Sequence, residues 1–322
     1  MDRSSIFTLC ILCTIANLAK SQEVCQSKNA AKMQWYQSDK WFAEKDQETS
    51  QYLRNIKEDT LDKHQAREKY YEVVTKPYQN ACHVLKKIGG FWYGGCGFLD
   101  GEKLLCMDSL YHAIQNKTCL VYSFGLADDW DFEVLMAELG CTVHGFDPSK
   151  MVKRPSNSYL PNLHFHNIGL HRLDGESSLN PGSEDEEIIR VNTLDTILKD
   201  LGDYGKRITY LKVDVEGAEI PCIKQWMKSG VLQFVDQLGI EMHTRSVFID
   251  KSAHKMIYRR FLTFLKSLES QYGLRLAAYN PNLCHAKNLD SQKLYYSLHD
   301  ILLVKTYQFY FTNSKENLFI RI

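Results

Sequence analysis

Three charged side chains alternate along one apolar segment in the middle of the chain. In LKVDVEGAE, residues 211–219, strand alternation places Lys212, Asp214 and Glu216 on one side and two valines on the other. Charged groups flanked by buried residues need partners or a ligand. Asp214 ends the strand, so it is the first candidate for a general base that takes a proton from a hydroxyl. The alternative is a structural ion pair between Lys212 and Asp214.

A glutamate and a histidine share one side of a second predicted strand, QFVDQLGIEMH, residues 233–243. His243 is therefore the second candidate base. Together with Asp214, Glu241 and His243 could hold a divalent metal ion, which would lower the pKa of a hydroxyl acceptor. An E-x-H pair on a strand is also typical of a hydrogen-bonded structural pair, and the sequence alone assigns no metal ligand.

A tight turn and an acid follow two further predicted strands. CLVYSFG (119–125) ends at Gly125, and CTVHGFD (141–147) ends at Asp147, 22 residues later. In doubly wound sheets, ligands bind beyond the carboxyl ends of the strands, and an acid after the second strand accepts hydrogen bonds from ribose hydroxyls. The spacing therefore predicts a nucleotide-type site. The alternative is that Asp147 only caps the turn that follows it.

Predicted helices alternate with these strands and would hold their carboxyl ends at one edge. The other predicted elements are a helix over 129–140, a third strand over 163–170, an acidic loop over 175–190, a helix with Thr193 as its N-cap, a helix over 253–272 and a last strand over 298–305. Alternation of this kind predicts βαβ units and a mainly parallel sheet, which is an α/β fold.

Two cysteines fall at equal distances from the ends of neighbouring predicted strands. Cys119 lies six residues before Gly125, and Cys141 lies six residues before Asp147. If the strand ends align, the two cysteines are level on strands about 4.8 Å apart, inside the Cα range of a disulfide. A Cys119–Cys141 disulfide is one interpretation, and two buried free thiols are the interpretation that we prefer.

A glycine-rich segment precedes the first strand. IGGFWYGGCGFLDG, residues 88–101, has six glycines in 14 residues, interleaved with aromatic residues. Its backbone can approach a ligand closely while rings such as Phe91 and Trp92 stack on it. The alternative is an irregular loop held by Cys96 and Cys106.

The first residues have the layout of a secretory signal peptide. An apolar run of 14 residues, Ile6–Ala19, follows Arg3, and small residues precede Gln22 at the −3 and −1 positions. We expect cleavage after residue 21 and a protein that is secreted or lies in the secretory-pathway lumen. The run is shorter than the about 20 residues of a membrane span, so no stable span is expected. An uncleaved signal-anchor is the alternative.

The composition bounds the partners. The chain of 322 residues has 39 basic and 39 acidic residues, and 44% of it is hydrophobic, as in globular proteins. No surplus of positive charge exists to displace counterions from phosphates, so no nucleic-acid partner is expected. After signal cleavage eight cysteines remain, an even number that suggests disulfides, and Asn116 begins a glycosylation sequon.

The chain divides into three predicted segments. Residues 1–21 are the signal peptide, residues 22–88 form a helical stem or cap, and residues 89–322 form the main domain. The stem prediction rests on aromatic and aliphatic residues at helical spacing, such as Trp35 and Phe42. A partly disordered linker is the alternative for this segment.

The LKVDVEGAE segment resembles the signature of the FkbM-type S-adenosylmethionine-dependent methyltransferases. The order of elements agrees over roughly residues 119–305. Further segments that resemble the family's motifs are VYSFGLADDWDFE (121–133), HNIGL (166–170), NTLDTIL (192–198) and IEMH (240–243), with Asp147 in the place of the ribose acid. Within the first of these, the segment SFGLADDWDFE (123–133) is most similar to sequences of the animal methyltransferase-like protein 24 group.

The resemblance implies a Rossmann-like class I methyltransferase fold, with a mainly parallel seven-stranded sheet and helices on both faces. The helical stem predicted from the spacing would precede this fold. It implies S-adenosyl-L-methionine as the cofactor, bound over the first two strand ends by Ser123, Gly125, Asp129, Asp147 and Asn167. The usual first motif has an acid at the position of Ser123 and a later glycine at the position of Asp129. This chain departs from the pattern at both positions.

O-methylation is the activity that the resemblance implies. Combined with the predicted signal peptide, it favours a hydroxyl of a glycan or small molecule as the acceptor, with Asp214 and His243 as the candidate catalytic residues. Two other classes fit parts of the sequence. One is a secreted, non-catalytic binding protein on a methyltransferase fold. The other is a luminal glycosyltransferase, for which Asp214-Val215-Glu216 would be a poor metal motif.

Overall fold

The computed structural model describes residues 43–306, apart from gaps at 94, 96, 128, 151, 153–159, 180–181, 245–255 and 291–292. The predicted signal peptide and the first part of the predicted stem therefore lie outside the described residues. Within the described segments, no helix is long and apolar enough to cross a membrane.

The helices of the described chain are α1 (43–55), α2 (Lys63–Val74), α3 (Met107–Gln115), α4 (Asp131–Glu138), α5 (Leu194–Asp200), α6 (Glu219–Ser229) and α7 (Ile257–Tyr272). The first eight strands are β1 (Leu85–Ile88), β2 (Phe91–Tyr93), β3 (Phe98–Asp100), β4 (Lys103–Cys106), β5 (Leu120–Phe124), β6 (Thr142–Phe146), β7 (Leu163–His166) and β8 (Gly169–Leu170). The others are β9 (Gly175–Leu179), β10 (Glu187–Asn192), β11 (Tyr210–Val213), β12 (Gln237–His243), β13 (Leu274–Pro281), β14 (Ala286–Asp290), β15 (Lys293–Tyr296) and β16 (Leu298–Lys305).

Seven strands form the central sheet, in the order β7-β6-β5-β11-β12-β16-β13. All neighbours are parallel except at β16, which runs antiparallel to both β12 and β13. The chain winds outward from β5 in one direction and then from β11 in the other, as in doubly wound sheets. This order, with one reversed strand, is the Rossmann-like class I methyltransferase fold, and the predicted fold class is confirmed.

Helices cover both faces of this sheet because its strands bury side chains on both sides. All residues of β5 and β12 are buried, as expected for strands between two layers. One face packs against α2, α6 and α7 through residues such as Trp226 and Phe261. The other face packs against α3 and α4 through Leu110 and Met136.

The register aligns the ends of the strands that carry the predicted site. Phe124, the last residue of β5, pairs with Phe146 at the end of β6 and with Val213 at the end of β11. The residues that follow these three, and so share one edge of the sheet, are Gly125, Asp147 and Asp214. We call this edge the carboxyl edge.

Local signals account for the elements around the site but not for every strand. Thr193 caps α5 as predicted, since its side chain accepts a hydrogen bond from the backbone N–H of Thr196. The sequence analysis did not predict β13, and the acidic loop predicted over 175–190 contains β9 and the first part of β10. These two strands pair antiparallel in a small exposed sheet, where acidic side chains remain in solvent.

The N-terminal described helices pack directly on the sheet domain. Tyr70 of α2 is fully buried, and its hydroxyl lies 2.7 Å from Nε2 of His299 on β16. The predicted stem also ends in a strand instead of a helix, because β1 pairs with β4 across the boundary predicted at residue 88. The division into stem and main domain stays a prediction.

Two disulfides lie in the described chain. Cys119 and Cys141 are bonded, with a Cα separation of 4.5 Å, so our preference for two free thiols was wrong. The aligned register that places Leu120 opposite Thr142 brings them level. Cys106 is bonded to Cys82, 24 residues earlier, and therefore does not hold the loop together with Cys96, which lies outside the described residues.

Non-reducing peptide mapping checks this pairing. We expect linked peptides for Cys119–Cys141 and for Cys82–Cys106, because both pairs lie within disulfide distance in the folded chain. Cys222 is free and buried, so it should be alkylated only after denaturation and serves as the internal control. Alkylation of Cys119 or Cys141 in the non-reduced, denatured protein would contradict the assignment.

Candidate active site

The turn after β5 requires glycine. Gly125 has a φ of +82°, and a Cβ atom at this position would lie 1.6 Å from the carbonyl oxygen of Asp214. The backbone N–H of Asp214 in turn donates to the carbonyl oxygen of Phe124, at 3.0 Å. Because Gly125 has no side chain, the ends of β5 and β11 can lie in contact.

Asp147 holds the backbone of this turn. Its carboxylate is 7% exposed and accepts hydrogen bonds from the N–H groups of Leu126 (2.9 Å), Ala127 (3.2 Å) and Ser149 (2.9 Å). The side chain thus links the end of β6 to the turn after β5. This is the capping role that the sequence left open, and it places the carboxylate at the position predicted for the ribose acid.

Asn167, the residue after β7, contacts the same region. Its side-chain amide donates to the carbonyl oxygens of Asp147 (3.0 Å) and Ser149 (3.3 Å). Asn167 therefore lies beside Asp147 and fixes the backbone that carries its carboxylate, and its cofactor role stays a prediction.

Ser123 lies beneath the turn, inside the sheet layer. It is fully buried and donates to Glu133 of α4. Glu133 also pairs with Lys212 at 3.1 Å, and Lys212 donates to the carbonyl oxygen of Gly125 at 2.8 Å. Lys212 therefore pairs with Glu133 and not with Asp214, which rules out the structural ion pair considered for the strand.

The segment that replaces the usual glycines is packed with apolar side chains. Leu126 is 2% exposed, and it lies with Trp130 against Gly145, where an added Cβ would meet both at 3.2 Å. Asp129 accepts a hydrogen bond from the N–H of Asp131 at 2.9 Å and so caps the start of α4. Burial raises the pKa of Asp131, and the negative charges of Asp129 and Glu133 raise it further.

Asp214 sits in a charge cluster that the sequence did not predict. Lys103 of β4 is 3% exposed, and its ammonium lies 2.9 Å from Asp214 and 3.0 Å from Asp300 of β16. Burial alone would raise the pKa of Asp214, but Lys103 holds it well below its usual range. Burial alone would lower the pKa of Lys103, but the charges of Asp214 and Asp300 raise it well above its usual value.

Glu241 lies beside Asp214 and affects its charge. Burial and the negative charge of Asp214 raise the pKa of Glu241 well above its usual value, while the pKa of Asp214 stays low. The two acids therefore differ in pKa, and Asp214 is the one that Lys103 holds ionised.

His243 is held by Glu219, a residue that the sequence analysis did not connect with it. The imidazole is 1% exposed, and Oε1 of Glu219 lies 3.2 Å from its Nδ1 and 2.9 Å from its backbone nitrogen. Burial would lower the pKa of His243, but Glu219, Glu241 and Asp214 raise it to about 10. At neutral pH the imidazole is protonated, so Asp214 is better placed than His243 to accept a proton.

A cavity of about 190 Å³ lies away from this edge, between α1, α2 and α7. It is lined by residues such as Tyr52 and Leu265, and by Leu274 and Leu303. Leu274 begins β13 and Leu303 lies near the end of the reversed strand β16, so the cavity opens at the amino edge. Ligands of doubly wound sheets bind at the opposite edge, and the cavity is not part of this site.

The family match gives the class of protein. A family model described as Methyltransferase domain matches residues 26–271, which is most of the chain. The strand order and the acid-lined carboxyl edge agree with that match. The chain belongs to the methyltransferase domain family.

Two curated relatives share part of their sequence with this chain. The Homo sapiens protein described as Probable methyltransferase-like protein 24 is 32% identical over 172 residues, which cover 52% of this chain and 45% of the relative. The Rattus norvegicus protein of the same description is 32% identical over 171 residues, with the same coverage, 52% and 45%. The match thus spans less than half of each relative. The FkbM-type assignment stays a prediction.

Solved structures resemble this chain only distantly. WbdD aligns with a TM-score of 0.36 and 15% identity, over 62% of this chain and 38% of that one. The plantazolicin methyltransferase BpumL, in complex with a triazolic analogue and SAH, aligns with a TM-score of 0.32 and 11% identity, over 62% and 82%. Because these scores are low, the fold assignment rests on the strand order described above.

Gly125→Ala should lower the free energy of unfolding by about 2–5 kcal/mol. The methyl group would collide with the Asp214 backbone, and the left-handed conformation disfavours alanine. Gly202→Ala is the matched control, since Gly202 has a φ of +72° with no atom within 4 Å of a Cβ. We expect about 1–2 kcal/mol there. Equal losses in urea unfolding would contradict the close approach.

Lys103→Met should lower the free energy of unfolding by about 3–5 kcal/mol at pH 7, because it leaves two buried acids unpaired. The pKa of Asp214 is lowered in the folded state, so its contribution is present above about pH 4 and is lost as pH falls further. The loss should therefore shrink in acid.

Urea unfolding at pH 7 and at pH 3 measures this difference. Lys206→Met is the control, because Lys206 is 62% exposed in its pair with Asp203 and should change stability by about 1 kcal/mol or less. A loss in Lys103→Met that matches the control, or that grows in acid, would show that the buried cluster does not depend on this lysine.

Proposed function

We propose that this chain is an S-adenosylmethionine-dependent methyltransferase of the secretory pathway that methylates a hydroxyl of a glycan or small molecule. One observation carries the proposal. The Gly125 turn, the Asp147 carboxylate and the ionised Asp214 meet at one carboxyl edge, in a member of the methyltransferase domain family.

The cofactor would lie over the ends of β5 and β6. An ionised carboxylate has about four lone-pair directions. Asp147 uses three of them for backbone N–H groups, and the remaining one fits a ribose hydroxyl. Gly125 and Asn167 hold the surrounding backbone, Ser123 supports it from below, and Asp129 at the start of α4 would accept from the methionine ammonium.

The bound cofactor supplies a methyl group on a sulfonium centre that is activated for in-line displacement. The chain has to hold the acceptor oxygen close and collinear, and to take its proton as the bond forms. Asp214 suits the second task because Lys103 keeps it ionised. In the absence of a metal ion, His243 carries a proton at neutral pH and would be a positive neighbour of Asp214.

Two features support the location and the acceptor. Disulfides such as Cys119–Cys141 form in oxidising compartments, in agreement with the predicted signal peptide. The β2–β3 hairpin exposes Phe91 (47%) and Trp92 (66%), rings of the kind that stack on sugars. Its end lies close to the site, since a Cβ on Gly101 would be 2.9 Å from the Asp129 carboxylate.

A secreted, non-catalytic binding protein on the same fold is the second candidate. It is favoured by the buried Leu126 side chain after the Gly125 turn, and by Asp129 at the position where the usual motif has glycine. The glycosyltransferase alternative has no support from the family match.

Calorimetric titration with S-adenosylmethionine and S-adenosylhomocysteine tests the proposal. We expect micromolar binding to the wild type, and binding at least about tenfold weaker for Asp147→Ala, because a hydrogen bond to a charged group contributes about 1.5–3 kcal/mol. Asp185→Ala, an exposed acid in the connection between β9 and β10, is the control and should bind as the wild type does.

Asp147→Ala also frees the turn amides, so Asp147→Asn, which keeps one acceptor oxygen, should lose less affinity. Thermal unfolding would check that each variant is folded. If the folded wild type binds neither compound at millimolar concentration, the enzyme proposal is wrong and the binding-protein alternative is favoured.

A further inference from the structure

Three metal-ligating atoms converge beyond the ends of β11 and β12. Asp214, Glu216 and His243 each offer one ligand atom, and these three atoms lie within 4.8 Å of one another. Nε2 is 3.5 Å from the Glu216 oxygen and 3.9 Å from the Asp214 oxygen. Ligands bonded to one tetrahedral cation at about 2.0–2.2 Å are roughly 3.4 Å apart, so small side-chain shifts would complete a shared site.

The histidine supplies a second, independent observation. His243 is 1% exposed, yet its Nε2 has no hydrogen-bond partner among the described residues. A buried polar atom without a partner is costly and calls for an explanation. Nε2 lies 3.5 Å from the Glu216 oxygen and 3.9 Å from the Asp214 oxygen without a hydrogen bond to either, and a cation between them would satisfy it.

The other ring nitrogen has the partner that metal-binding histidines use. Glu219 is fully buried, and its Oε1 accepts from Nδ1 of His243, while Oε2 accepts from the N–H of Gly217 at 2.8 Å. A carboxylate that binds one ring nitrogen orients the ring and leaves the other for a metal. Sequence spacing could not show this, because Glu219 and His243 are 24 residues apart.

The local charge also favours a cation. Asp214, Glu216 and Glu219 lie around His243. Lys103 contacts Asp214 and divides its charge with Asp300. A divalent ion that replaces the proton on Nε2 of His243 would offset the charge of the three acids.

We propose that Asp214, Glu216 and His243 bind one divalent transition-metal cation, of the Mn²⁺ or Zn²⁺ type. Two carboxylates and one imidazole suit such ions better than they suit Ca²⁺ or Mg²⁺, which prefer oxygen alone. The other acid-and-sulfur cluster of the described chain, around Asp108, is unsuitable because Cys82 and Cys106 form a disulfide.

Metal binding at this site does not require the cofactor. In combination with the proposed function, and resting on it, the cation would lie beside the acceptor and lower the pKa of its hydroxyl. The metal and Asp214 would then act together on the same proton.

Equilibrium dialysis of the full chain against Mn²⁺, and separately against Zn²⁺, without S-adenosylmethionine, tests the site. We expect one bound ion per chain, with binding at least about tenfold weaker in Glu216→Gln, as for loss of a metal-site partner. Glu216 is 76% exposed, so this variant should fold. Glu176→Gln, on the exposed strand β9, is the matched control and should bind as the wild type does.

Pulsed EPR of bound Mn²⁺ gives a second readout, since a directly coordinated imidazole produces a nitrogen coupling. Absence of bound metal in the folded protein, equal binding in Glu216→Gln, or bound Mn²⁺ without nitrogen coupling would each overturn the site. Because no cofactor is present, metal binding by a protein that fails to bind S-adenosylmethionine would contradict the proposed function and leave the metal site standing.

Discussion

The ion pairs made by one buried lysine hold the candidate site together. Lys103 lies on β4, outside the central sheet, and joins Asp214 after β11 to Asp300 on β16. Without this cation, two acids at the centre of the fold would face each other without compensation. The same contact keeps Asp214 ionised, so the fold and the proposed chemistry depend on one interaction.

A second constraint is the close approach of neighbouring strand ends. The Asp214 backbone lies where a side chain on Gly125 would be, and Asp147 closes the turn from the other side. The buried network of Ser123, Glu133 and Lys212 supports this turn from below. The residues that replace the usual first motif therefore rebuild a rigid turn from different contacts.

Much of the fold could be predicted because it rests on local patterns. Buried strands, amphipathic helices and the Thr193 cap each leave a signal within a few residues. The spacing of Gly125 and Asp147 placed both at the carboxyl edge because the sheet is parallel and in register. β13 was missed, although its residues alternate between buried and half-buried positions.

The parts that could not be predicted depend on distant contacts. Lys103 meets Asp300 across 197 residues, and Ser123 bonds Glu133 on the helix above it. No spacing rule connects such residues, so the sequence showed the acids but not their partners. The free-thiol preference for Cys119 and Cys141 failed for a related reason, since aligned strands permit a disulfide without requiring one.

A crystal structure of the full chain grown with saturating S-adenosylhomocysteine is the most direct test that the carboxyl edge is a cofactor site. The account predicts density over the Gly125 turn, with a ribose hydroxyl within hydrogen-bond distance of the Asp147 carboxylate. An empty carboxyl edge, in crystals whose lattice leaves that edge open, would contradict it. Density for the ligand at another place on the fold would contradict it equally.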